Sequence, residues 1–454
     1  MLRALAFLLA LTAQMPGDPA APLRATVEGR RMLAFLDALN TGTPAALQAF
    51  VESGFSAQAR QRTADAERVE RLTGMSRELS PVTIVAAPPT TSERASARVR
   101  PRAGEPMTLT LEFEPGGGAK ISGIRVEAGD AEGDEPADAP KGSDAEVATA
   151  ADAWISELAA KDEFSGVVRL SRKGKVFFEK AWGMADRGLS VPNRPSTRFN
   201  IGSITKAFTQ SAIARLQREG KLSLDDPVAK HLPDLPIPSA DRITIRQLLA
   251  MRSGLGDIFG ERFDATPKER LRTLRDYVPL FADRPLRFAP GQGREYSNAG
   301  YIVLGLIVEK VSGRDYFDYL RDAVEKPAGM SHSGAFEVDA IVPDRAIGYT
   351  KRNGGVRRAN TYALPARGSS AGGTYATAED LEKFAAAVAD GVLPMPEGGL
   401  AQGGNLGVAG GTEGCNAVLD SDRESARVFV VLANDDPPTA QQVARRLRAW
   451  LGER

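Results

Sequence analysis

The stretch Arg198-Phe-Asn-Ile-Gly-Ser-Ile-Thr-Lys-Ala-Phe208 decides how the long C-terminal part of the chain is read. Within it, Ser203 and Lys206 are spaced Ser-x-x-Lys. If a helix begins at Ser203, the hydroxyl and the amine lie one turn apart on one face. An amine beside a hydroxyl is one way to make serine nucleophilic without histidine. Gly202 precedes the serine, and a helical run with Phe208, Ile213 and Leu216 follows up to Gly220, a helix-stop residue. Ser203 is thereby placed at a helix N-terminus, where free N–H groups and the dipole favour a developing anion. Taken alone, the pattern also fits a capping serine beside a solvated lysine, so its partners must be found elsewhere.

Two other stretches supply candidates. Glu295-Tyr-Ser-Asn-Ala-Gly-Tyr301 follows a turn-rich segment and leads into a helix over 299–311. Tyr296 and Asn298, two apart in an extended lead-in, face the same way. A phenol near a lysine can lose its proton well below its free pKa of about 10 and then take one from serine. The alternative is an ordinary turn with a half-buried tyrosine. Asn405-Leu-Gly-Val-Ala-Gly-Gly-Thr-Glu-Gly414 leads into a strand, and its Gly410-Gly411 pair allows close backbone approach by a ligand. A backbone N–H there would serve as an oxyanion donor.

Composition narrows the chemistry. With one cysteine (Cys415) and two histidines (His231, His332) in 454 residues, a zinc site built on His and Cys has too few ligands. Neither histidine lies in a recognisable motif, so a Ser-His-Asp triad has few candidates. The 58 basic and 58 acidic residues cancel, which argues against a nucleic-acid partner. At the N-terminus, Arg3 precedes a short apolar run, small residues and Pro16: a signal-peptide pattern over 1–22, too short to span a membrane. The expectation is an exported protein, periplasmic or secreted, with no stable membrane anchor.

Residues 23–128 place helix-spaced segments before four strand-like ones, the order of a small α+β domain. The opening helix pair and the phrase Phe35-Leu-Asp-Ala-Leu-Asn-Thr-Gly42 resemble the NTF2-like fold. Residues 129–145 are acidic, rich in Pro and Gly, and without apolar bulk, which predicts a flexible linker. From 146 to 454 the chain reads as helix, hairpin, a helical middle, a second hairpin and a closing helix over 439–451. That order predicts one antiparallel sheet built from both ends of the domain. The first and last helices cover one face and the central helices the other, an α/β/α sandwich.

The order Ser203-Ile-Thr-Lys206, Tyr296-Ser-Asn298 and a Gly-Gly element before the last strands resembles the serine β-lactamase and penicillin-binding-protein-like superfamily. The class C β-lactamase and esterase branch is the nearest in pattern. Ser253-Gly-Leu-Gly256, Lys326-Pro-Ala-Gly-Met330 and Ala371-Gly-Gly-Thr-Tyr-Ala-Thr-Ala-Glu-Asp-Leu381 match it as well. The resemblance implies roles. Ser203 forms the acyl-enzyme, and Lys206 lowers the Tyr296 pKa and shares its proton. Tyr296 is the general base and then the acid. Asn298 orients Lys206 and the substrate, and the N–H groups of Ser203 and Gly411 hold the oxyanion. It implies a small-molecule or peptide substrate and no metal or organic cofactor, and leaves the oligomeric state unspecified.

The third motif departs from the family. Where Lys-Thr-Gly or His-x-Gly is usual, the aligned residues are Val408-Ala409-Gly410. The cation that would hold a substrate carboxylate is missing. This disfavours β-lactams and D-Ala-D-Ala peptides, leaves ester or amide hydrolysis, and admits a weak or inactive binding protein on the same fold. If Val408 faces the pocket, Val408→Lys is expected to raise turnover of carboxylate-bearing substrates. Gly368-Ser-Ser-Ala-Gly372 also satisfies the nucleophile-elbow pattern, but no helix follows at once and no histidine comes later in the chain.

Overall fold

The computed structural model describes residues 18–62, 65–101, 107–116, 118–128, 143–351 and 356–452. Most of the leader-like segment (1–17) and of the acidic stretch (129–142) lies outside these residues. The chain separates into two compact units, residues 1–134 and 135–454.

In the first unit, helices α1 (Val27–Thr41), α2 (Pro44–Gly54) and α3 (Asp65–Leu79) precede strands β1 (Thr83–Ala86), β2 (Arg94–Arg100), β3 (Met107–Phe113) and β4 (Ile121–Ala128). The strands pair antiparallel in sequence order. Local chemistry sets the helix ends. The Thr26 hydroxyl accepts the Gly29 N–H at 2.9 Å, and Thr43 caps α2 just ahead of Pro44. Met32, Phe35, Leu39 and Phe50 meet Ala97, Val99, Leu109 and Leu111 in one core.

The second unit opens with α4 (Asp144–Ala160), β5 (Gly166–Arg172) and β6 (Lys175–Trp182). α4 starts inside the stretch read as linker, because Ser143 and Glu146 form a capping box: the carboxylate accepts the Ser143 N–H at 2.6 Å. The middle contributes α5 (Thr205–Arg218), α6 (Asn298–Ser312) and α7 (Ala378–Ala389). The end contributes β7 (Ala401–Gln402), β8 (Asn405–Thr412), β9 (Cys415–Asp422), β10 (Arg427–Ala433) and α8 (Thr439–Leu451). The sheet order is β7-β8-β9-β10-β5-β6, antiparallel throughout, so β10 pairs with β5 and joins the two ends of the domain.

Period-two alternation assigns the layers. Val168, Leu170, Val418, Phe429 and Val431 pack on α4 and α8. Their neighbours Val167, Ala417, Leu419, Val430 and Leu432 pack on α5, α6 and α7. The expected sandwich is therefore present. The short strand β7 was not anticipated; it covers only the start of β8, at Asn405 and Leu406. The rest of that edge runs past the turn that carries Ser203.

Candidate active site

Ser203 lies in a single 3-10 turn, Gly202–Ile204, that runs into α5. The turn is held from several sides. Asn200 Oδ1 accepts the Gly202 N–H at 2.9 Å, the Thr205 hydroxyl donates to the Gly202 carbonyl at 2.9 Å, and the Ile201 N–H donates to the Thr374 carbonyl at 2.9 Å. Gly202 has φ +50°, and a Cβ there would stand 2.7 Å from the Gly411 backbone nitrogen. A Cβ on Gly410 would stand 2.0 Å from the Ile201 carbonyl and 2.7 Å from the Ser203 nitrogen. Glycine is thus required on both sides so that strand and turn can touch, bringing the Ser203 and Gly411 nitrogens to the same place.

α5 is buried on all sides through Ala214, so Lys206 is almost wholly enclosed. On α6, Ser297 is the N-cap, its hydroxyl accepting the Gly300 N–H at 2.9 Å. Its extended backbone lets Tyr296 and Asn298, on either side of it, converge on the lysine. The Tyr296 hydroxyl is 2.6 Å from Ser203 Oγ, and Lys206 Nζ is 3.1 Å from Ser203 Oγ and 2.7 Å from Asn298 Oδ1. The Ala371 carbonyl is a further acceptor for Lys206. The structure thus brings together Ser203, Lys206, Tyr296, Asn298, Gly410 and Gly411.

The proton inventory is informative. Asn298 Oδ1 and the Ala371 carbonyl can only accept. A neutral amine gives them its two N–H bonds and keeps its lone pair for the serine hydroxyl. Burial pulls Lys206 in that direction, from its ordinary value down to about 7, with the Asp257 charge opposing. Burial also raises the Tyr296 phenol, despite its hydrogen bond to Ser203, although half of the residue remains in solvent. That direction is opposite to the one expected from Lys206 acting on Tyr296, because burial outweighs the hydrogen bond at the phenol. A lysine that loses its charge on burial has little field with which to acidify a neighbouring phenol.

Val408 is also corrected. It is buried in the core among the helices and does not line the cavity beside Ser203. That cavity, about 520 Å³, is walled by Ile258, Phe259, Phe263, Phe336, Leu364 and Tyr375, by the charged residues Asp264, Lys268 and Glu413, and by Ser203, Asn298 and Gly411 of the candidate site. Residue-type patterns did not signal Asp257, whose carboxylate receives the Asn298 amide at 2.9 and 3.0 Å, or the Ala371 carbonyl. The elbow-like Ser370 is fully buried and donates to the Tyr301 carbonyl at 2.7 Å. Its loop supplies Ala371, not a nucleophile. His231 pairs with Asp226 at 2.9 Å, and neither histidine lines the cavity. Among the described residues, no group of three or more His, Cys, Asp or Glu side chains could hold a metal, and no helix is long and apolar enough to cross a membrane.

Residues 151–453 match the family model described as Beta-lactamase. The chain belongs to the β-lactamase and penicillin-binding-protein superfamily of serine hydrolases. A penicillin-binding protein of Bacillus halodurans of known structure is 32% identical, with a TM-score of 0.59 over 64% of this chain and 99% of that one. PbpX of Bacillus subtilis, named as a penicillin-binding protein, is 32% identical over 241 residues, 53% of this chain and 58% of the relative. Protein flp of Staphylococcus aureus (strain MW2) is 38% identical over 186 residues, 40% of this chain. The chain spans 58% and 37% of the lengths of these last two relatives. The D-amino acid amidase of Ochrobactrum anthropi SV3 shares the fold, at TM-score 0.57 and 22% identity over 67% of this chain and 98% of that one.

Proposed function

We propose that this family member hydrolyses esters or amides with an apolar acyl group through a Ser203 acyl-enzyme. The observation that carries this reading is the three-way contact of Ser203 Oγ with Tyr296 and a buried Lys206 whose other two partners are pure acceptors. Lys206 takes the serine proton as Oγ attacks the carbonyl carbon. The oxyanion forms against the N–H groups of Ser203 and Gly411, each such donor being worth about 10²–10³ in rate. On collapse the leaving group takes the Tyr296 proton, and the phenolate regains one from Lys206. Water repeats the sequence on the acyl-enzyme. No metal or organic cofactor enters this scheme.

The aliphatic and aromatic part of the cavity wall supports an apolar acyl group. The penicillin-binding and amidase names of the relatives support the reaction class only. A panel of p-nitrophenyl esters, nitrocefin and D-aminoacyl p-nitroanilides tests it. Apolar esters are expected to turn over fastest, and preference for nitrocefin would overturn the substrate assignment. The missing cation favours one rival, a non-catalytic binding protein, which predicts no turnover of any of them. We further propose export, on the pattern of residues 1–22, and an NTF2-like accessory role for the first unit, on its helices-then-meander order.

A further inference from the structure

We infer that Asp257 is a positioning residue of the catalytic cluster: its carboxylate fixes the orientation of the Asn298 amide and sets the pH at which Lys206 becomes a base. This inference rests on the acyl-enzyme reading above.

The amide of Asn298 has two unlike ends. Its oxygen accepts from Lys206 at 2.7 Å, and its nitrogen donates to both Asp257 oxygens at 2.9 and 3.0 Å. Flipping the amide would aim its N–H groups at the lysine N–H groups and its oxygen at a carboxylate, losing both sets of bonds. A carboxylate can only accept, so it selects the orientation in which Lys206 meets an oxygen. Asp257 is itself fixed. Its Oδ1 accepts the Phe259 N–H at 3.2 Å, and the preceding Gly256 carbonyl accepts the hydroxyl of Ser297, the α6 N-cap, at 2.8 Å. The loop and the start of α6 are thereby tied together.

Charge gives the second part. Lys206 faces the Ser203 hydroxyl, the rings of Tyr296 and Tyr301 at 4.8 and 5.4 Å, the Asn298 amide and the Ala371 carbonyl. These are neutral groups. Asp257 is the charged group that acts on it, favouring the ammonium form against burial. Near Asp257, Arg284 donates to the backbone carbonyl at 3.2 Å, and the Arg287 side chain lies beside Gly256. Removing the carboxylate leaves burial unopposed, so Lys206 holds its neutral form to lower pH. The family-like phrase Ser253-Gly-Leu-Gly256 ends one residue before this aspartate.

The test compares full-length wild type with Asp257→Asn, Asp257→Ala and Asp257→Glu. Two readouts are followed against pH: the rate of fluorophosphonate labelling, and the 15Nζ resonance of Lys206, assigned through its loss in Lys206→Arg. Asp257→Asn and Asp257→Ala are expected to move the acid limb and the lysine titration down by about one pH unit. Asp257→Glu is expected to restore both toward wild type. Asp257→Ala, which also frees the amide, is expected to lower kcat about tenfold with KM nearly unchanged. Two folded charge-removing variants that titrate as wild type does would overturn the inference. If wild type takes no label, the acyl-enzyme reading fails, while the lysine resonance still decides whether Asp257 controls that titration.

Discussion

The cluster around Ser203 and the strand β8 that faces it are built from opposite materials. On the cluster side, a lysine, an asparagine and a serine converge with a tyrosine hydroxyl, and the buried polar atoms of Lys206 and Asn298 have partners. On the strand side, residues 407–411 are Gly-Val-Ala-Gly-Gly, and Val408 points into the apolar core. In the proposed mechanism the first surface moves protons. The second offers only shape and backbone N–H groups. Bond-breaking and recognition of an anionic substrate are thus separable in this fold, and this chain keeps the structural means for the first.

The largest expected effect breaks the cluster at its centre. Ser203→Ala should lower kcat/KM on a p-nitrophenyl ester by about 10³-fold or more, because Ser203 Oγ is the hydroxyl that meets both Lys206 and Tyr296. Lys206→Met comes next, at about 10²–10⁴-fold. In wild type, Lys206 must be neutral to act, and burial lowers its pKa to about 7. The rate is therefore present above that pH and falls about tenfold per unit below it; in Lys206→Met that limb should vanish. On the strand side, Gly410→Ala should cost about 10²-fold in kcat by prising the Gly411 N–H away from Ser203, readable as slower acylation in stopped flow. The smallest effect is expected from Val408→Lys. Placing an unpaired charge in the core should lower the melting temperature while leaving the ratio of carboxylate-bearing to neutral substrates nearly unchanged. A large gain for the carboxylate substrates would mean that β8 still presents this position to the cavity.

Much of this comparison was legible in the chain. Ser203, Lys206, Tyr296 and Asn298 carry side-chain spacings that a helix start and an N-cap convert directly into proximity. The Gly410-Gly411 pair announced a close backbone approach, and α8 runs over the residues that apolar spacing assigned to it. What was not legible has physical causes. A carbonyl such as that of Ala371 has no residue-type signature. Asp257 is one of 58 acidic residues, and only folding places it against an amide. The direction in which the Tyr296 phenol shifts depends on how much water it loses, a property of the packed fold that residue types do not carry. Val408 was aligned with a site position, but strand alternation turns its side chain inward.

Intact-protein mass spectrometry with a fluorophosphonate, followed by peptide mapping, tests the central claim most directly. One adduct per chain on the peptide containing Ser203, absent from Ser203→Ala and formed more slowly below pH 7, is the predicted result. No adduct, or an adduct on any other serine, would contradict the account.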